Sequence, residues 1–175
     1  MAAAGALARG LAARGIGIVY GGSNVGLMGA LADAALEAGG EVIGVMPRSL
    51  AEKDVAHARL SELRVAGSMH QRKALMAELS DAFIAMPGGY GTIEEFCEAL
   101  TWTQLGLQRK PCGILNVEGY YDSLLALFDH AVAERFVKPV HRAMVIADGD
   151  PESLIARLLE CHPPLVDKLL DRKPA

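Results

Sequence analysis

The order of its apolar segments constrains this chain more than any other feature. Short runs rich in β-forming residues (16–20, 42–46, 63–66, 82–86, 113–117 and 143–147) alternate with longer segments of helical spacing (2–14, 27–38, 69–79, 92–105, 121–135 and 151–160). The short runs are mostly continuous rather than alternating, as expected of strands covered on both faces. Strand–helix alternation of this kind predicts an α/β fold, a doubly wound and mostly parallel sheet with helices on both faces and right-handed crossovers. In the last helical segment Leu154, Leu158 and Leu159 form a narrow apolar stripe, and Asp150 followed by Pro151 reads as an N-cap and first-turn pair. No internal repeat or linker interrupts the pattern. Residues 1–161 therefore read as a single nucleotide-binding-type domain, and the Pro-punctuated segment 162–175 as a short tail.

Composition narrows the function classes. With 51% hydrophobic and 22% charged residues the chain can bury a sizeable core and is not a disordered segment. A net charge of −4 without a basic run argues against nucleic acid as a partner. Cys97, Cys112 and Cys161 are widely spaced and include no CxxC pair, so neither a disulfide framework nor a zinc site is expected, and a reducing, cytoplasmic setting fits. The histidines show no metal-ligand spacing, and no metal is expected. Glycines interrupt the longest uncharged stretch, 15–32, which excludes it as a membrane span. The opening residues are acid-free and rich in Ala and Arg, a composition shared with transit peptides. They run into a strand without a polar break, and are read as part of the fold.

In sheets of this kind ligands bind beyond the carboxyl ends of the strands. Two glycine-rich loops occupy such positions. The first, Gly21-Gly22-Ser23-Asn24-Val25-Gly26, lets backbone N–H groups approach an anion at a helix start, or simply closes a strand–helix unit. The second, Pro87-Gly88-Gly89-Tyr90-Gly91-Thr92, lacks the GK[ST] of a Walker A loop and the spacing and position of the dinucleotide fingerprint. Three glycines and a threonine hydroxyl at a helix start still form a ready nest for phosphate.

Glu95 and Arg72 each carry two readings. Thr92-Ile93-Glu94-Glu95 has the form of a capping box, in which Glu95 would bond back to the Thr92 N–H. Alternatively Glu95 is a carboxylate one turn from a phosphate nest, placed to stabilise a cation or act as a base. In Met69-His70-Gln71-Arg72-Lys73 the two cations project about 100° apart on a helix, so at most one faces a site squarely. Solvated surface charge is the simpler account; a phosphate or carboxylate clamp by the planar fork of Arg72 is the functional one.

YGGSNVGLMG, MHQRKALM, PGGYGTIEE, TWTQLG and LNVEGYYDSLL stand in this order along the chain. Together they resemble the LONELY GUY (LOG) family of cytokinin riboside 5′-monophosphate phosphoribohydrolases, whose members were often labelled lysine decarboxylase-like. The resemblance runs from about Ala8 to about Ala147. PGGxGTxxE, matched from Pro87 to Glu95, is its most specific part. It implies a Rossmann-like fold, a homodimer, a purine nucleoside monophosphate substrate, and no cofactor. It also implies Arg72 and Glu95 as catalytic residues, Gly88, Gly89, Gly91 and Thr92 as the phosphate loop, Met69 and Lys73 as pocket residues, and Gly21, Gly22, Asn24 and Gly26 as the other substrate-binding loop. Trp102 and the Tyr120–Tyr121 segment are candidates for subunit contact.

Two departures from the family pattern carry expectations. Ser23 and Asn24 replace a Gly and a Ser of the usual GGGSVG, implying a local adjustment of that loop. Family members also begin with another strand and a Gly/Ser-rich turn, whereas here Met1 enters the first helix, implying unpaired backbone on two strands. A nucleotide- or molybdenum-cofactor-binding carrier of the same fold, without turnover, is the alternative function. A pyridoxal-phosphate decarboxylase is rejected, because the candidate site offers only Lys73, beside Arg72, for a Schiff base and no residue recognisable as a partner for the cofactor's ring nitrogen.

Overall fold

The computed structural model describes residues 1–51 and 56–164, so most of the expected tail, 165–175, lies outside the described residues. The chain divides into two compact units, Met1–Ser80 and Asp81–Ala175. Both are α/β with parallel strands, the expected fold class.

The first unit comprises α1 (Ala2–Ala12), β1 (Ile18–Tyr20), α2 (Gly26–Glu37), β2 (Val42–Pro47), α3 (Arg48–Ala51), β3 (Glu62–Ala66) and α4 (Met69–Leu79). Its strands lie in the order β1-β2-β3, with Val19 opposite Ile43 and Val45 opposite Arg64. Four consecutive residues of β2, Gly44 to Pro47, are buried. Because successive side chains point to opposite faces, both faces of this strand are covered. Helices α2 and α4 both pack against β1 and β2. Helix α1 lies on α2 and buries Ala4, Leu7 and Ala8. The Ala/Arg-rich opening segment is thus a structural helix. It closes where the Ile16 N–H bonds back to the Leu11 carbonyl, and strand pairing begins only at Ile18, two residues later than the apolar run implied.

The second unit comprises β4 (Phe83–Ala85), α5 (Tyr90–Gln104), β5 (Cys112–Leu115), α6 (Asp122–Ala133), α7 (Pro139–Arg142), β6 (Val145–Asp148) and α8 (Pro151–Glu160). The order is β4-β5-β6, all parallel. β5 is buried along its whole length, and Ala85, Phe96, Cys112, Ile114, Tyr121 and Val145 form the core around it. Burial pushes the Cys112 thiol up to about 11, the behaviour of a small core hydrophobe.

Helix α8 starts as expected, with the Asp150 carboxylate accepting the Ser153 N–H at 2.8 Å and Pro151 in the first turn. Its buried stripe is Leu154, Ile155 and Leu158, while Leu159 is 59% exposed. Leu154 and Leu158 fill the space over Gly113 of β5, and that contact turns Leu159 outward.

Strands β1 and β4 hydrogen-bond to one neighbour each, β2 and β5 respectively. Helices α3 and α7, at four residues each, are too short to show a period in the sequence. No helix among the described residues is long and apolar enough to cross a membrane.

Candidate functional site

In the first unit the loop after β1 and the start of α4 meet beside β2. Helix α4 begins at an N-cap, Ser68, whose side chain accepts the Gln71 N–H at 3.2 Å. This start turns Arg72 inward. Its side chain is only 9% exposed, and its Nε donates to the Val45 carbonyl at 2.8 Å. Burying a guanidinium requires such oxygen partners, so Arg72 is not solvated surface charge. A terminal nitrogen of its fork stands 2.7 Å from where a β-carbon on Gly21 would lie, with the Met28 sulfur at 3.4 Å. Gly21 therefore leaves room for the cation. Lys73, the neighbouring cation, is half-buried, and Met69 is 48% exposed.

The loop after β1 is tied down from several sides. Gly22 adopts φ +81°, and its carbonyl accepts the His57 N–H at 2.9 Å. Ser23 forms an isolated antiparallel bridge with Ala56. The Tyr20 hydroxyl donates to the Ser23 carbonyl at 3.1 Å, and burial, with the Asp33 charge second, pushes that phenol up to about 12. The Ser23 hydroxyl in turn accepts the Val25 N–H at 3.2 Å, a short local turn made by the residue that departs from GGGSVG. Asn24 and Gly26 are exposed where α2 begins. His57, dismissed in the sequence for want of metal spacing, is buried here. Its Nδ1 accepts the Arg59 N–H at 3.2 Å, so Nε2 carries the proton that goes to the Asp33 carboxylate at 3.1 Å.

In the second unit the Pro87-Gly88-Gly89 turn leads from β4 into α5. The helix starts at Tyr90 with Gly89 as N-cap and no side-chain cap, two residues before the sequence placed it. Thr92 is therefore inside the helix, and the capping-box account of Glu95 does not hold: a box needs Thr92 at the cap. The first helical bond runs from the Ile93 N–H to the Gly89 carbonyl at 3.2 Å. The N–H groups of Gly89, Tyr90, Gly91 and Thr92 have no carbonyl within the helix to receive them, the arrangement that attracts anions. Thr92 lies over Gly88, where any β-carbon would overlap its hydroxyl. Glu95 follows on the next turn, half-buried.

The turn after β5 holds the second unit's missed residues. The Asn116 side chain accepts the Tyr121 N–H at 2.7 Å and donates to Asp122 at 2.7 Å. Tyr121 is 2% exposed, and its hydroxyl donates to the Met86 carbonyl at 2.6 Å. Tyr120 donates to the Gly88 carbonyl at 2.7 Å. The expectation of a subunit contact here thus fails for Tyr121, which lies in the core of its own unit. The available signal was Asn-x-x-Gly before paired tyrosines, a turn that aims two phenols at one place.

Comparison with known proteins adds to this geometry. The profile of a family described as "Possible lysine decarboxylase" matches residues 28–158. The chain is 54% identical over 153 residues to the "Cytokinin riboside 5'-monophosphate phosphoribohydrolase" of Rhodococcoides fascians, covering 87% of this chain and 77% of that protein. It is 51% identical over 157 residues to the rice "Probable cytokinin riboside 5'-monophosphate phosphoribohydrolase LOGL9", covering 90% of this chain and 69% of that one. It spans 63% of a second rice relative, LOGL5. Among solved structures, the molybdenum cofactor carrier protein of Chlamydomonas reinhardtii shares the fold with a TM-score of 0.69 at 24% identity, over 91% of this chain and 85% of that one.

Proposed function

Since the chain belongs to the cytokinin riboside 5′-monophosphate phosphoribohydrolase family, we propose that it hydrolyses the N-glycosidic bond of such nucleotides, releasing free base and ribose 5-phosphate. The observation that carries this reading is the 54% identity to a named phosphoribohydrolase over most of both chains. The local chemistry supports it.

Cleaving the bond places positive charge on C1′ and O4′ of the ribose, as in glycoside hydrolysis. A carboxylate stabilises that charge and orients or deprotonates the attacking water. We assign both roles to Glu95. The N–H groups at the start of α5, with Gly88, Gly89, Gly91 and Thr92, are assigned to the 5′-phosphate. Holding the phosphate converts remote binding energy into positioning of the scissile bond. Arg72, buried at the strand ends, is assigned to substrate oxygens as the second catalytic residue. Met69, Lys73 and the loop residues Gly21, Gly22, Asn24 and Gly26 are assigned to substrate binding. No step in this scheme calls for a metal or organic cofactor. A homodimer in the cytoplasm belongs to the same proposal, and light scattering on the purified chain tests the dimer.

The deciding experiment incubates the protein with AMP and N6-isopentenyl-AMP and follows free base by chromatography. Base release is expected, and Glu95→Gln lowers kcat by roughly 10²–10⁴-fold. Undiminished turnover in that variant removes the assigned role. The alternative, a carrier without turnover, draws on the molybdenum cofactor carrier's likeness, which at 24% identity extends to the fold alone. Tight nucleotide binding by calorimetry with no base released would favour it.

A further inference from the structure

Tyr120 is 55% exposed, yet its hydroxyl is committed to one acceptor, the Gly88 carbonyl, at 2.7 Å. A phenol half in water has no need of a backbone partner, so what holds it there calls for a physical account. The turn that carries it is built against the ordinary preferences of its residues. Glu118 sits in the left-handed region at φ 51°, uncommon for a residue with a side chain, and Gly119 follows at φ +74°. Such a backbone persists only when its surroundings over-determine it. Here they do: the Asn116 amide spans Tyr121 N–H and Asp122, the Asn116 N–H bonds the Asp148 carbonyl at 2.8 Å, and the Tyr120 ring meets Tyr121 edge-on at 4.9 Å.

The two tyrosines do different things to the loop. Tyr121 donates to Met86, whose peptide continues into Pro87 and carries no N–H, so that bond can only fix the backbone. Tyr120 donates to Gly88, whose peptide continues into the N–H of Gly89, the N-cap of α5. In a trans peptide the carbonyl and the following N–H point in opposite directions. A donor that anchors the oxygen therefore aims the N–H. It also polarises the peptide and strengthens that N–H as a donor.

We propose that Tyr120 is a positioning residue for the anion end of the substrate, orienting and polarising the Gly88–Gly89 peptide so that the Gly89 N–H is presented to the phosphate. This rests on the phosphoribohydrolase reading, and deepens it. Tyr120 touches no reacting atom. Its contribution is to phosphate affinity, equal in ground and transition states, so it acts on KM and leaves kcat alone.

The test compares the parent protein with Tyr120→Phe and Tyr121→Phe. Steady-state kinetics with AMP and N6-isopentenyl-AMP are measured alongside calorimetric binding of ribose 5-phosphate and of adenine. Tyr120→Phe is expected to raise KM and the ribose 5-phosphate Kd together by about three- to tenfold, the range of one hydrogen bond. Adenine binding, kcat and the melting temperature stay unchanged. Returning a donor as 4-aminophenylalanine at position 120 restores the affinity. Tyr121→Phe, by contrast, lowers the melting temperature. An unchanged ribose 5-phosphate Kd in Tyr120→Phe overturns the proposal, as does a loss shared with adenine or the absence of ribose 5-phosphate binding to the parent protein. If the parent binds ribose 5-phosphate but releases no base, the hydrolase reading falls while the role of Tyr120 is still decided by binding.

Discussion

Arg72 and Gly21 illustrate what a single residue decides. The guanidinium is buried with its Nε on Val45, and the open space beside Gly21 admits its fork. Gly21 itself is not among the residues with positive φ, so alanine fits the backbone there. Gly21→Ala is therefore expected to push the cation out of place without unfolding the unit. With Arg72 assigned to catalysis as proposed above, and a displacement of about 1 Å at such a group costing on the order of 10²-fold, kcat/KM is expected to fall by about ten- to a hundredfold while the melting temperature holds. Thermal melts and kinetics on one preparation check this; an active variant would detach Arg72 from catalysis.

Tyrosines 20 and 121 make a separate point at the same scale. Burial pushes each phenol up to about 12, so both remain protonated donors across the neutral range. A group whose folded pKa is raised contributes stability below its ordinary value, near pH 10, that is lost as pH climbs through 12. An ultraviolet titration should show a late phenolate step, reduced in Tyr121→Phe.

At the scale of elements, the register of α5 mattered most. Residues 92–105 were legible as a helix because their apolar spacing is long and periodic. Its true start was not, since Tyr90 and Gly91 extend no helical apolar stripe and the chain's T-x-x-E mimics a cap at Thr92, three residues after the true cap Gly89. Moving the start to Tyr90 changes Glu95 from a capping side chain into a residue on the second turn. Helix α8 shows the reverse case, an end fully written in local sequence. Asp150 caps Ser153 as its position beside Pro151 implied. Asp150→Ala should cost about 1 kcal/mol in urea denaturation, with the fold retained.

For the whole molecule, among the described residues Asp33 in the first unit and Asp148 in the second are carboxylates held below their ordinary value. Asp33 is lowered first by the hydrogen bond from His57 and then by Arg59; Asp148 is lowered first by the Ser153 hydroxyl and then by the Asp150 N–H. A depressed folded pKa stabilises the native state above the ordinary carboxylate pKa, about pH 4, and that contribution disappears as pH falls further. Urea midpoints should therefore decline below about pH 4. In Asp33→Asn with Asp148→Asn the midpoint is lower at pH 7 and the decline shallower; an identical slope would place the acid sensitivity elsewhere.

For Arg72 and Glu95 the local sequence left two readings each, and only the resemblance to the LOG family implied the chemical one; what the sequence by itself determined is the alternation of strands and helices, the α/β class and the two glycine loops. These follow from periodicity and backbone freedom, properties a few neighbouring residues possess on their own. Only the tertiary structure decided that Arg72 turns inward while Lys73 beside it stays half-exposed, that His57 straps the first loop, and that Tyr120 and Tyr121 reach back more than thirty positions to the second. Those outcomes depend on which carbonyls the folded chain brings within hydrogen-bonding distance, and no local pattern encodes that distance.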